Sequence, residues 1–159
     1  MTMAEGEVAI DYERGAGYVV ATWRNALLMM WTDAITKRGL DATERAGKLL
    51  EREHGSGVVA LSVSLAGVPL PDDEMRAYAA RLMRERAHRV ALSVTVIEGD
   101  GFLLSAGRMV MTALVTLSGG KSKPVIAKSV DEAIAHIHPL VKPRATLAEV
   151  TRVMKAFRG

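Results

Sequence analysis

Several places in this sequence carry residue types and spacings that chemistry can use. Gly99-x-Gly101 lies between an apolar run and a helical pattern, where some folds cradle a dinucleotide pyrophosphate. That cradle needs a third glycine three residues on, for close helix–strand packing, and an acid near the end of the next strand to hold the ribose. Leu104 stands at the third position, and Lys128 and Ser129 end the next strand. The two glycines therefore read as a tight turn, with Asp100 placed to cap a helix beginning at Gly101. Gly119-Gly120-Lys121-Ser122 imitates the end of a phosphate-binding loop, but Val115 replaces its first glycine. It also follows a helix and precedes a strand, the reverse of the order a phosphate cradle requires. It reads as a helix stop with solvated lysines.

Metal and nucleophile chemistry fare no better. His136 and His138 are two apart on a helical pattern, so their side chains leave on different sides and cannot easily share an ion. His54 and His88 sit at helix ends, where a histidine meets the last carbonyls. The chain has no cysteine, which excludes disulfides, thiolate catalysis and zinc–cysteine sites. No serine–histidine–acid set and no paired carboxylates are suggested by position. No cofactor, no metal and no enzymatic activity are expected.

Arg108 is the remaining charged residue of interest, alone inside an apolar helical stretch. A buried arginine needs carboxylate or carbonyl partners, and Glu98 and Asp100 are candidates at the neighbouring strand end. An arginine that runs its stem over the surface, or one at a rim facing a partner or an anionic ligand, fits the same position.

The elements that would position these residues follow from periodicity. Val8 to Tyr12, Tyr18 to Trp23 and Ala26 to Trp31 read as three strands of an antiparallel meander, with turns at Gly15-Ala16-Gly17 and Arg24-Asn25. From about Leu40 the apolar spacing becomes helical, with Glu44 and Arg45 outside. Val58–Leu65 and Val90–Ile97 are apolar on both faces, as in strands covered on both sides. Between them lies a helix with Pro71 as its first residue, Asp72, Asp73 and Glu74 in its first turn, and Arg84, Glu85 and Arg86 outward. After the helix from Gly101, Pro124–Ala127 is a last short strand. Ser129-Val130-Asp131-Glu132 and Thr146-Leu147-Ala148-Glu149 are capping boxes that open two more helices. Strands alternating with helices imply a largely parallel core sheet with helices packed on it. The expected organisation is an α/β domain over residues 1–138, a linker over 139–145, and a C-terminal helix over 146–159.

Composition limits the rest. At 159 residues, 49% hydrophobic and 25% charged, the chain is long enough for one well-packed domain. The net charge of +3 comes from scattered Lys and Arg, which does not suggest nucleic-acid binding. The first residues have neither the basic nor the apolar region of a secretory signal. The Phe102–Leu117 run is shorter and more polar than a membrane span of about 20 residues. A cytoplasmic setting is expected, in accord with the absence of cysteine.

The helix after Gly101 is apolar nearly all round. Phe102, Ala106, Met109, Ala113 and Leu117 form the stripe expected against the sheet, and Leu104, Met111 and Val115 fall on another side. A helix that is apolar all round is usually buried all round. The C-terminal helix, with Leu147, Val150, Met154 and Phe157 at helical spacing, or a second copy of the chain would cover the second stripe. A homodimer built on this helix is therefore expected.

The order of elements resembles the STAS fold of anti-sigma-factor antagonists of the SpoIIAA type. The segments Pro71–Arg76, Glu98–Phe102, Arg108–Thr112 and Ser129–Ala133 are similar to a group of small bacterial SpoIIAA-like proteins, over roughly residues 8–138. The resemblance implies a STAS-like mixed sheet, with the C-terminal helix as an addition. The antagonists carry Asp-Ser-Ser-Gly after the first core strand, and a kinase phosphorylates one serine. Here that stretch is Val68-Pro69-Leu70-Pro71-Asp72-Asp73-Glu74, so the phosphate acceptor is missing. Asp72 and Asp73 would either imitate a permanent phosphate or serve as ordinary first-turn acids. The resemblance implies a non-enzymatic regulatory or protein-interaction module with a signalling partner. The alternative is a small-molecule or lipid-binding protein with an apolar pocket beside helix 101–118. Leu104, Arg108, Met111, Val115, Asp72 and Asp73 are the candidate interaction residues.

Overall fold

A computed structural model describes residues 7–119 and 124–159. Its strands are β1 (Ile10–Gly15), β2 (Tyr18–Trp23), β3 (Ala26–Trp31), β4 (Val58–Ser64), β5 (Val90–Ile97) and β6 (Val125–Ala127). Its helices are α1 (Lys37–His54), α2 (Asp73–Arg86), α3 (Gly101–Leu117), α4 (Val130–Ile137) and α5 (Leu147–Arg158). The fold is α/β. The six strands form one mixed sheet in the order β1-β2-β3-β4-β5-β6, antiparallel from β1 to β3 and parallel from β3 to β6.

That order dictates where the helices lie. The three crossovers through α1, α2 and α3 all step the same way along the sheet. Crossovers between parallel strands are right-handed, so three steps in one direction place three helices on one face. On this face Ala42, Ala46 and Leu50 of α1 bury Val20, Leu27, Met29 and Ala60. The chain leaves β6 on the other face. There Ala133, Ile134 and Ile137 of α4 and Val150, Val153 and Met154 of α5 close over Leu28, Leu61, Val94 and Val96. The C-terminal helix therefore packs on its own chain, across the sheet from α3.

Local signals explain most boundaries. α1 begins at Lys37, three residues before the apolar spacing suggests, because Thr36 caps it by accepting from the Gly39 N–H at 3.2 Å. Gly39 lets the first turn lie on the Trp31 ring, which a Cβ there would meet at 2.6 Å. α2 begins two residues later than expected, at Asp73. Asp72 is its cap, accepting from the Met75 N–H at 2.9 Å, and Pro71 stands outside the helix. The cap position needs a side-chain acceptor on extended backbone, which aspartate supplies and proline does not. Ser129 caps α4, but the Glu132 carboxylate returns to the N–H of Lys128 rather than of Ser129. Thr146 caps α5, and the carboxylate of Glu149 turns to Arg24 at 3.5 Å. β1 lies two to three residues later than the alternation suggests and bulges between Asp11 and Glu13, an edge-strand irregularity that hides its register.

The connection between α4 and α5 is tied to the body of the protein. It contains a 3₁₀ turn, His138–Leu140, and buries Val141 and Ala145. Asn25, in the β2–β3 turn, donates to the carbonyls of Gly57 at 2.8 Å and Leu140 at 2.9 Å.

Candidate functional site

β4 and β5 lie in the middle of the sheet, where both faces are expected to be covered. The face toward α4 and α5 is: Val59, Leu61, Val63, Val94 and Val96 are all buried. The opposite face differs, and the reading of both strands as buried on two sides is corrected there. Val58 and Ala60 at the start of β4 are buried under α1, but Ser62 and Ser64 on β4 and Ser93, Thr95 and Ile97 on β5 each keep part of their surface accessible. The cause is the placement of α2, which packs mainly on α3 and α1 and stands off the strands. Small hydroxyl side chains do not fill the space left below it.

The result is a cavity of about 130 Å³ between the sheet, α2 and α3. Its floor is the hydroxyl row. Ser62 pairs with Met29 on one side and Thr95 on the other, and Ser64 pairs with Trp31 and Ile97. No hydrogen bond joins the side chains of Ser62, Ser64, Ser93 or Thr95 to another described residue, and each of these oxygens is accessible to solvent. They face the cavity. The walls are apolar: Met75, Ala79, Leu82 and Met83 from α2, and Val110, Met111 and Leu114 from α3. α3 comes closest to the sheet at Gly107, where a Cβ would meet Ile97 Cδ1 at 2.4 Å.

Two charged residues also line this space, Glu98 and Arg86. Glu98 is fully engaged. Arg158, near the end of α5, grips both of its oxygens at 2.6 Å, and the pairing raises the Arg158 pKa. Arg86 is less well served. It reaches one oxygen of Glu44 at 3.4 Å, while Arg89 takes the other. Burial pushes the Arg86 pKa below the ordinary guanidinium value, against the opposing pull of Glu44. Glu44, Arg86 and Arg89 form an inward-facing charge cluster at the foot of α1 and α2, and the expectation of Glu44 and Arg86 as outward residues is corrected. Gly47 makes room for it, since a Cβ there would meet the Arg89 guanidinium at 3.3 Å. The sequence signal for the floor was present in the alternation of Ser62, Ser64, Ser93 and Thr95 within otherwise apolar strands. The charge cluster left no local signal, because its members come from three separate elements.

The six candidate residues divide. Met111 and Val115 pack against α2 beside the buried Ala80, Met83, Val110 and Leu114, and Leu104 is half-buried. Arg108 is exposed. Asp72 is spent on capping α2, and the exposed Asp73 pairs with Arg76 at 3.3 Å. The stripe expected against the sheet faces outward instead. Phe102 is 79% exposed, Met109 74% and Leu117 52%. Two apolar stripes were available, and the one containing Gly107 approaches Ile97 because it alone has a position without a side chain. Gly99 takes a φ of 142°, while a Cβ on Gly101 would meet nothing within 4 Å, so Gly101 serves no close approach. Of the Gly119–Ser122 motif, residues 120–122 lie outside the described residues. His138 shares a hydrogen bond with the Ala145 carbonyl at 3.1 Å, His136 is exposed, and no metal-binding group occurs among the described residues. No described helix is long and apolar enough to cross a membrane.

No family model, no curated protein and no solved structure matches this chain.

Proposed function

We propose that this protein is a binding module for a small apolar molecule, held between the β4–β5 face and helices α2 and α3. The observation that carries the reading is the cavity with its four unpartnered hydroxyls. The space opens to solvent, and its apolar walls are left without protein atoms packed against them where small hydroxyl side chains stand on the strands. Apolar walls with a few fixed polar groups are the usual lining of a ligand site. Size sets the ligand class. A cavity near 150 Å³ accepts about six heavy atoms, as in benzene, so the part of a ligand held inside is short.

Thermal unfolding in the presence of 1-butanol, 1-hexanol and 1-octanol tests the reading. A probe at a hundred times its dissociation constant adds about 2.7 kcal/mol, which raises Tm by roughly 5–11 °C for a chain of this size. No rise in Tm with any of the three overturns the proposal.

A second reading rests on a different observation, the outward stripe of Phe102, Met109 and Leu117. Contiguous exposed apolar surface on one helix supports the interaction module that the STAS-like element order implies, with a second copy of the chain as the simplest partner. A light-scattering mass of one chain at micromolar concentration removes this reading and leaves the first untouched. The cysteine-free composition supports placing the module in the cytoplasm.

A further inference from the structure

The two charged residues of the cavity differ in how well they are matched, and the difference specifies the ligand further. Glu98 has a cation on both oxygens, which balances its charge. A cationic ligand group would have to share it with Arg158. Arg86 is the opposite case. A guanidinium carries five N–H donors, and the described residues provide it with one carboxylate oxygen, at the long distance of 3.4 Å. That carboxylate is shared with Arg89, whose exposure is 4%. The next acid, Glu51, lies 3.9 Å from Arg89, on the solvent side, and also meets His88. Two guanidiniums thus divide one carboxylate, and of these three residues only Arg86 lines the cavity. The remaining Arg86 donors are oriented by no described acceptor, and a planar fork of that kind matches a carboxylate with two parallel hydrogen bonds.

We propose, resting on the reading of the cavity as a ligand site, that its ligand is a short-chain monocarboxylate whose head group binds Arg86. The chain lies against Met83, Val110 and Leu114, over the hydroxyl floor. The volume holds about six heavy atoms, the number of carbons in hexanoate, whose two carboxylate oxygens are directed to Arg86, and 1-hexanol is its neutral counterpart with the same number of carbons.

The test compares hexanoate with 1-hexanol by isothermal titration, on the wild type, Arg86→Gln and Arg86→Lys. In the wild type hexanoate binds more tightly. Arg86→Gln lowers hexanoate affinity by at least about tenfold, the worth of a charge-assisted hydrogen bond, and leaves 1-hexanol within about twofold. If Arg86→Gln loses both probes, Arg86→Lys decides: recovery of hexanoate binding supports the assignment, and continued loss of it overturns the role of Arg86. Equal binding of the two probes by the wild type, or hexanoate binding untouched in Arg86→Gln, overturns the carboxylate assignment while the apolar site stands. Binding of neither probe overturns both.

Discussion

The Asn25 side chain accepts a hydrogen bond from the Lys142 N–H at 2.7 Å, which ties the β2–β3 hairpin to the connection before α5. The same amide donates to Gly57 and Leu140, so a side chain only 1% exposed makes three hydrogen bonds to three backbone groups. Asn25→Ala removes all three and leaves buried or half-buried backbone groups without partners. The cost is about 3 kcal/mol, at roughly 1–3 kcal/mol for each buried group left unsatisfied with some compensation by water. Chemical denaturation measures it, and the midpoint should fall with an unchanged slope, because the fold is weakened rather than altered.

The cavity floor invites the opposite change. Ser62→Val adds apolar volume where Ser62 faces Thr95 in register, and it suits the strand. It is expected to stabilise the free protein by about 1 kcal/mol, since roughly 24 cal/mol is recovered per Å³ of cavity filled. It also blocks the space, so 1-hexanol no longer raises Tm. Greater stability with undiminished hexanol binding would place the ligand elsewhere.

Gly107 separates binding from stability more sharply. Alanine there gains about 1 kcal/mol of helix propensity. Its Cβ meets the far end of the Ile97 side chain, which has the cavity to move into. Gly107→Ala is therefore expected to change stability by less than about 1 kcal/mol, within the cost of a strained rotamer. Hexanol affinity falls several-fold because Ile97 now occupies part of the site. Paired denaturation and titration curves on this variant check both halves.

Much of this architecture is legible in the chain because its signals are local. Three β-branched and aromatic runs separated by short turns can only make a meander. Thr146 and Ser129, each followed three residues on by glutamate, mark helix starts that depend on no distant partner. The orientation of α3 is not legible, since Phe102–Leu117 and Leu104–Val115 offer equally apolar stripes. What chooses between them is the contact of Gly107 with Ile97, and glycine carries no weight in a hydrophobic pattern. The charges of Glu44 and Arg86 read as solvent-facing for a related reason. Burial of a charged group depends on a partner, and Arg89 lies 45 residues from Glu44 in the chain. The hydroxyl floor falls between these cases: its alternation is visible, while the gap above it depends on where α2 settles.

The cluster at Glu44 supplies a large expected effect. Its carboxylate, in a residue 8% exposed, faces Arg86 and Arg89. Glu44→Ala leaves two guanidiniums facing each other in the interior, and breaking a buried pair in this way costs about 3–5 kcal/mol. Glu44→Gln keeps the shape and one acceptor and should cost less. The order wild type, Gln, Ala in denaturation midpoint is the outcome to look for, and an Ala variant as stable as wild type would mean that water reaches these charges freely.

Acid should weaken the protein from its edges. Arg24 binds Glu7 through Nε at 3.1 Å and Nη2 at 3.0 Å, and reaches the Pro143 carbonyl at 2.6 Å. These bonds hold the Glu7 carboxyl below its ordinary value of 4.5, and a hydrogen bond from Tyr18 does the same for Glu13. A carboxylate whose pKa is lower folded than unfolded stabilises the fold above the unfolded value, and that contribution is lost as pH falls through the folded one. Stability should therefore be level above about pH 5 and decline below 4.5 as Glu7 and Glu13 take up protons. Glu7→Gln removes one of the two groups, so its stability should depend less steeply on pH in that range. Denaturation midpoints measured at intervals from neutral to acid pH, on both proteins, give the comparison. Parallel curves would show that the Arg24 contacts are exchanged for water at no net cost.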